Sequence, residues 1–219
     1  MLGSPHATTV RGPIALRGST LELLRLAASE RIKAPIGLLS EGRQAVPMPA
    51  LIIEGWAAEG VLLDDGRQQI VRILLRGDIC GLGPLADQLQ TFAITSLTLA
   101  KAPGDGVAAA ALGREREAQA KRDLHHLIRL GRLPALERTA SFFAETYERA
   151  SQAGLLLGGF MPLPFTQTQL SDHLGISSVH MNRVLQQLRR MGLIEPRYRT
   201  WRVRDLPALA SLGHFPLEA

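Results

Sequence analysis

The amino-acid sequence predicts an α+β chain in which the two kinds of structure are segregated. Short strands fill the N-terminal half and amphipathic helices the C-terminal half. Three observations carry this prediction. Turn signals punctuate residues 36 to 101 at short intervals, apolar residues recur at helical spacing from residue 112 onward, and residues 166 to 192 read as two short helices across a glycine turn. The chain has 219 residues, 46% of them hydrophobic, enough to pack cores in two modest domains.

The turn signals of the first half stand at Glu41-Gly42, Pro47-Met48-Pro49, Asp64-Asp65-Gly66 and Arg76-Gly77-Asp78. Between about Ile36 and Lys101 they leave room only for short strands, so this half is expected to be all-β. Its clearest hairpin runs from Gly60 to Leu75, where GVLL and QQIVRILL flank Asp65-Gly66, a dipeptide that tolerates the positive φ of a tight turn. A stretch rich in small residues, Gly104 to Ala111, leads to a helix expected from about Leu112 to Arg132. Within it Ala120, Leu124, Leu127 and Gly131 are spaced four, three and four apart, with Ile128 alongside. That narrow stripe suits a partner helix, and packing on the helix's own domain is the alternative. Gly131 is expected to close the helix and Pro134 to open the next, with a hinge at 131 to 134. The next helix, Ala135 to Gly154, carries Leu136, Ala140, Phe143 and Tyr147 on one side and ends in the glycines and prolines of GLLLGGFMPLP.

Thr166 followed three residues later by Gln169 forms a capping box, which predicts a short helix over Gln167 to Leu174. Gly175 ends it, and Ser177 is a good cap for a second helix from Ser178 to about Met191. Met181, Val184, Leu185 and Leu188 give that helix one apolar stripe, expected to pack on Leu170, Leu174 and Ile176. The spacing is that of a helix-turn-helix, whose second helix enters the major groove of DNA. Ser178, Val179, Asn182, Arg183 and Gln186 project from the opposite face. Arginine bonds O6 and N7 of guanine together, so Arg183 is the first candidate reader, and the apolar Val179 suits a thymine methyl group. Thr166, Ser177 and His180 are candidate phosphate contacts. Leu193 to Arg204 then reads as a small hairpin, a wing, anchored by Leu193, Ile194, Trp201 and Val203. Arg197, Arg199 and Arg202 surround its turn, in position for phosphates. An ordinary helical hairpin with solvated arginines is the competing reading of the segment.

Charge supports the nucleic-acid reading. Net charge is +5, and between Ser178 and Arg204 seven arginines stand against one acid, Glu195, so the rest of the chain is near neutral. A charge excess focused on one stretch is the footprint of a phosphate-contacting surface. The only cysteine, Cys80, cannot form an intramolecular disulfide or hold an iron-sulfur cluster, and reads as a small buried hydrophobe. No metal site is expected. No apolar run approaches the roughly 18 to 20 residues that span a bilayer, and the start lacks the layout of a signal peptide, so a cytoplasmic protein is expected. No catalytic signature is present, and His6, His173 and His214 stand isolated, which speaks against an enzyme.

This order of parts resembles the Crp/Fnr family of bacterial transcription regulators, over nearly the whole chain. The resemblance rests on the spaced glycines Gly42, Gly55, Gly66 and Gly77-Asp78, the helix break before Pro134, and above all TQTQLSDHLGISSVHMNRVLQQLRRMGLI at 166 to 194. It implies an N-terminal antiparallel β-roll of jelly-roll type over residues 1 to 111, a dimerisation helix over 112 to 132, and a winged helix-turn-helix domain over 133 to 219. It further implies a homodimer on a two-fold-symmetric operator, with Ser178, Val179 and Arg183 as readers and Ser177 and His180 on phosphates. Cyclic-nucleotide binders of the family carry a glutamate where Leu82 stands and an arginine-serine pair near Thr91-Phe92. Gly77 to Ala100 contains no lysine or arginine for a buried phosphate, which argues against cyclic AMP. Haem ligation by His125 or His126 stays open beside the ordinary reading of both as solvated or packed. A ligand-sensing or protein-interaction module that does not read DNA sequence is the competing functional class. The sequence identifies no effector, and no segment marks a surface for RNA polymerase.

Overall fold

The structure, a computed structural model, describes residues 31–39, 48–82, 88–102 and 107–217. Glu41-Gly42, Pro47 and the first residues of the small-residue stretch lie outside these, as does His6.

Among the described residues, eight strands make the first half, starting earlier than Ile36: β1 (Arg31–Ala34), β2 (Gly37–Leu38), β3 (Ala50–Glu54), β4 (Ala57–Leu62), β5 (Gln68–Leu74), β6 (Ile79–Cys80), β7 (Gln90–Ala93) and β8 (Leu97–Lys101). They form two antiparallel four-stranded sheets, ordered β1-β8-β3-β6 and β2-β7-β4-β5. The expected hairpin is β4 with β5, paired from Ala57↔Leu74 to Leu62↔Gln68 and closed by Gly66 at φ +83°. Ile52, Leu99, Leu74 and Cys80 are buried between the sheets. Burial raises the Cys80 thiol pKa well above its ordinary value, in keeping with a small hydrophobe.

Helix α1 runs Val107–Arg132, five residues longer at its start than the sequence suggests. Alanine is the best helix former, so the run Ala108 to Ala111 propagates the helix through a stretch whose small residues read as a connector. Gly131 lies inside the last turn and does not close it. Helix α2 spans Ala135–Gln152, two residues shorter than expected, with Pro134 at its N-cap. A three-residue strand β9 (Phe160–Pro162), α3 (Gln167–Leu174), α4 (Ser178–Arg190), β10 (Ile194–Arg197), β11 (Thr200–Val203) and α5 (Leu206–Leu212) complete the chain. Strand β9 and helix α5 are additions to the sequence reading. The wing is therefore three-stranded, ordered β10-β11-β9, with Thr200↔Pro162 and Arg202↔Phe160 in register. No helix among the described residues is long and apolar enough to cross a membrane.

The two halves share one core. Trp56, Ile70 and Ile73 of the roll join Phe142, Phe143, Leu170, Leu185 and Leu188 in a continuous cluster, and Trp56 meets Phe165 edge to face at 5.9 Å. Polar contacts reinforce the junction. Arg149 of α2 bonds Asp78 at 2.6 Å and donates to the Ile73 carbonyl at 3.0 Å. Arg122 of α1 reaches Glu115 at 2.5 Å and Asp78 at 3.7 Å. Glu145 pairs with Arg129. Burial alone would raise the Glu145 pKa, but Arg129 and Arg149 outweigh it and the pKa falls.

Candidate nucleic-acid interface

The helix-turn-helix forms as its caps dictate. The Thr166 hydroxyl accepts from the Gln169 amide at 3.1 Å while the Gln169 side chain accepts from the Thr166 amide at 2.9 Å, closing the capping box. Gly175 takes φ +62° at the end of α3, the left-handed conformation that glycine adopts without steric cost. Ser177 caps α4, its Oγ accepting from the His180 amide at 3.2 Å. Met181, Val184, Leu185 and Leu188 are buried, packed in one cluster with Leu170, Leu174 and the half-buried Ile176.

The opposite face is bare. Ser178, Val179, Asn182, Arg183 and Gln186 are exposed, Val179 at 63%. An apolar side chain this open on a polar helix face has no packing role in the chain. Helix α4 ends at Arg190, and two backbone bonds, Gly192 to Arg189 and Leu193 to Leu188, turn the chain directly into the wing. There Arg197 and Arg202 lie 5.3 and 5.7 Å from the Phe160 ring centre, and Arg199 donates to the Pro164 carbonyl at 2.9 Å. Trp201 meets Phe143 edge to face at 5.2 Å, an anchoring position. Thr166 takes the cap role that the sequence predicts. Its hydroxyl is engaged on both sides by Gln169, so its geometry is that of a cap, and the amides of the following turn are the groups left for a phosphate.

Several positioning residues were not legible in the sequence. Arg138 donates to the Leu174 carbonyl at 2.7 Å and to those of Leu130 and Leu133 at 3.1 and 3.0 Å, tying the turn of the motif to the α1-α2 junction. His173, on α3, is buried. Its Nδ1 lies 3.1 Å from the Ile70 carbonyl of the roll, and its ring stacks on His126 of α1 at 4.2 Å. Neither ring nitrogen of His126 has a hydrogen-bond partner among the described residues, and burial, with Arg129 nearby, lowers its pKa to about 4. Burial likewise lowers His173, with His126 and Arg129 adding to it. His125 meets Phe215 edge to face. In the roll, buried Arg72 pairs with Glu59 and Asp123, both at 2.9 Å, and donates to the Leu82 carbonyl at 3.1 Å.

Helix α1 shows an inverted pattern. Ala111, Glu115, Gln119, His126 and Arg129 are buried, while Ala120, Leu124 (55% exposed), Leu127 (67%), Ile128 (47%) and Gly131 face solvent.

Fold and site together define a DNA-binding protein that carries a winged helix-turn-helix on an antiparallel roll. Residues 137–212 match the Crp-like helix-turn-helix domain. The chain is 33% identical over 163 residues to the nitrogen fixation regulation protein FixK of Rhizobium meliloti (strain 1021), covering 69% of this chain and 71% of that one. The structure of FixK2 from Bradyrhizobium japonicum superposes with a TM-score of 0.69 at 26% identity, over 87% of this chain and 98% of the other. A CRP-family transcriptional regulator from Thermus thermophilus shares the fold, with a TM-score of 0.65 at 22% identity over 87% and 100% of the two chains. The chain belongs to the Crp/Fnr family. It is a DNA-binding transcription regulator and not an enzyme.

Proposed function

We propose that this regulator acts as a homodimer on a two-fold-symmetric operator, its half-sites about one helical turn apart, roughly 10 base pairs centre to centre. The observation that carries the reading is the exposed stripe Ala120, Leu124, Leu127, Ile128 and Gly131 on a helix that buries its polar side against its own chain. A second copy of the same helix is the natural cover. Ser178, Val179, Asn182 and Arg183 read base edges. Ser177, whose hydroxyl hydrogen remains to donate, His180, Arg197, Arg199, Arg202 and the α3 N-terminus at Thr166 hold phosphates.

Cyclic AMP does not fit the roll on this reading. Its phosphate needs a buried cation, and Arg72, the buried cation among the described residues of the roll, beside Leu82, is already satisfied by two carboxylates and a carbonyl. Cyclic AMP should therefore leave the melting temperature unchanged. Packing of His126 on His173 and of His125 on Phe215 favours a structural role for both over haem ligation. An activator of this class must also touch RNA polymerase; transcription from the selected site with purified polymerase tests that role.

The deciding experiment selects duplexes from a random pool and footprints the winner. Arg183→Ala should cost about 1 to 3 kcal/mol on that site and relax one base position. Arg202→Ala should weaken all sequences alike and lower the salt slope by about one. Arg199 is a poorer probe because it also holds the Pro164 carbonyl. Equal losses from both changes on random DNA would refute the division of roles.

A further inference from the structure

The wing turns on two residues, Tyr198 and Arg199, between the paired Arg197 and Thr200. Tyr198 sits there at φ +55°. When φ is positive at the first position of a two-residue hairpin loop, glycine is the usual occupant, because a Cβ crowds the neighbouring carbonyl. The ring is also 95% exposed, so no burial offsets the strain. In the free protein this residue is unfavourable on both counts, which points to something outside the chain that meets the tip.

Its surroundings say what. Arg197 and Arg202 are held over the Phe160 ring and Arg199 on the Pro164 carbonyl, so the cations around the tip have fixed positions. Glu195, the one acid of the hairpin, is taken by Arg204 at 2.6 Å and leaves the tip cationic. An aromatic set among three positioned arginines suits a polyanion. A duplex hides its base faces by stacking, so the ring can meet deoxyribose edges while the phenol hydroxyl donates to a phosphate oxygen.

We infer that Tyr198 is a DNA-contact residue, packing on the sugar-phosphate backbone beside the half-site and adding to the hold of the wing arginines. The inference rests on the reading of α4 as the recognition helix. Its test uses the full-length protein and the duplex selected by the wild type. Tyr198→Gly removes ring and strain together, so its melting temperature should equal or exceed the wild type while affinity falls about tenfold. Tyr198→Phe should recover part of the affinity through the ring alone. Hydroxyl-radical footprints should lose protection at one backbone position per half-site with Tyr198→Gly and keep the rest. Undiminished affinity and an unchanged footprint with Tyr198→Gly, alongside a large loss with Arg183→Ala, would overturn this inference and leave the recognition helix standing. No loss from either would overturn the reading of α4 itself.

Discussion

Helices α4 and α1 are both amphipathic and use the property in opposite senses. In α4, Met181, Val184, Leu185 and Leu188 are buried and the polar face is open. In α1, Glu115, Gln119, His126 and Arg129 are buried while Leu124, Leu127 and Ile128 are open. Burying a charged side chain is unfavourable unless it is paired, and α1 meets that condition through Glu115 with Arg122 and Arg129 with Glu145. The apolar face of α4 is thus completed within the chain, whereas that of α1 is left open. On the proposed reading, exposed polarity marks the DNA surface and exposed apolarity the dimer surface.

The strongest way to break this contrast is to charge the open stripe of α1. Leu124→Glu with Leu127→Glu should leave the fold intact, because both side chains are more than half exposed, but should convert the dimer to a monomer and weaken operator binding about 10²- to 10⁴-fold. Sedimentation and DNA titration check both effects. Leu188→Ala, on the buried stripe of α4, should instead cost about 2 to 5 kcal/mol of stability in urea unfolding, since it opens a cavity in the shared core. A comparable loss of stability from the α1 pair would erase the distinction.

The polar side of α1 gives a smaller, pH-dependent effect. The unfolded chain protonates His126 near its ordinary value of 6.5, but the folded chain does so only near 4. Stability from its neutral form is therefore complete above pH 6.5 and declines as pH falls toward 4, with His173 shifted in the same direction. Unfolding free energy should drop by about 2 kcal/mol between pH 7 and pH 5 from His126 alone. His126→Leu should flatten that slope, since neither ring nitrogen has a hydrogen-bond partner to lose among the described residues. A profile that stays flat in the unmodified protein would show that the stack is not holding both rings neutral.

What the sequence showed and what it hid follow one line. Helices α3 and α4 were legible because caps, turn and stripe lie within 26 consecutive residues, and each signal has a local cause. Strand β9 was not, because three residues in a stretch of glycine and proline are defined by pairing with β11 about 40 positions later. Helix α5 was short and apolar, although Asp205 capping the Ala208 amide and Pro207 beside it are start signals. Counting cations only between Gly77 and Ala100 missed Arg72, whose carboxylate partners lie 13 and 51 positions away. The docking of His173 on Ile70 is likewise long-range, and its sequence gives no sign of it. On α1 the apolar stripe was visible, but its direction was not, because the helix is tethered by polar contacts to β5, to α2 and to Asp78 in the turn between β5 and β6.

The central claim is that the open stripe of α1 presents two copies of α4 to one operator. Native mass spectrometry of the wild-type protein on the selected duplex tests it most directly. Two chains per duplex, with two protected half-sites about 10 base pairs apart and both lost in the Leu124→Glu and Leu127→Glu variant, is the expected result. One chain per duplex at full sequence preference, or a complex unchanged by that variant, would contradict it.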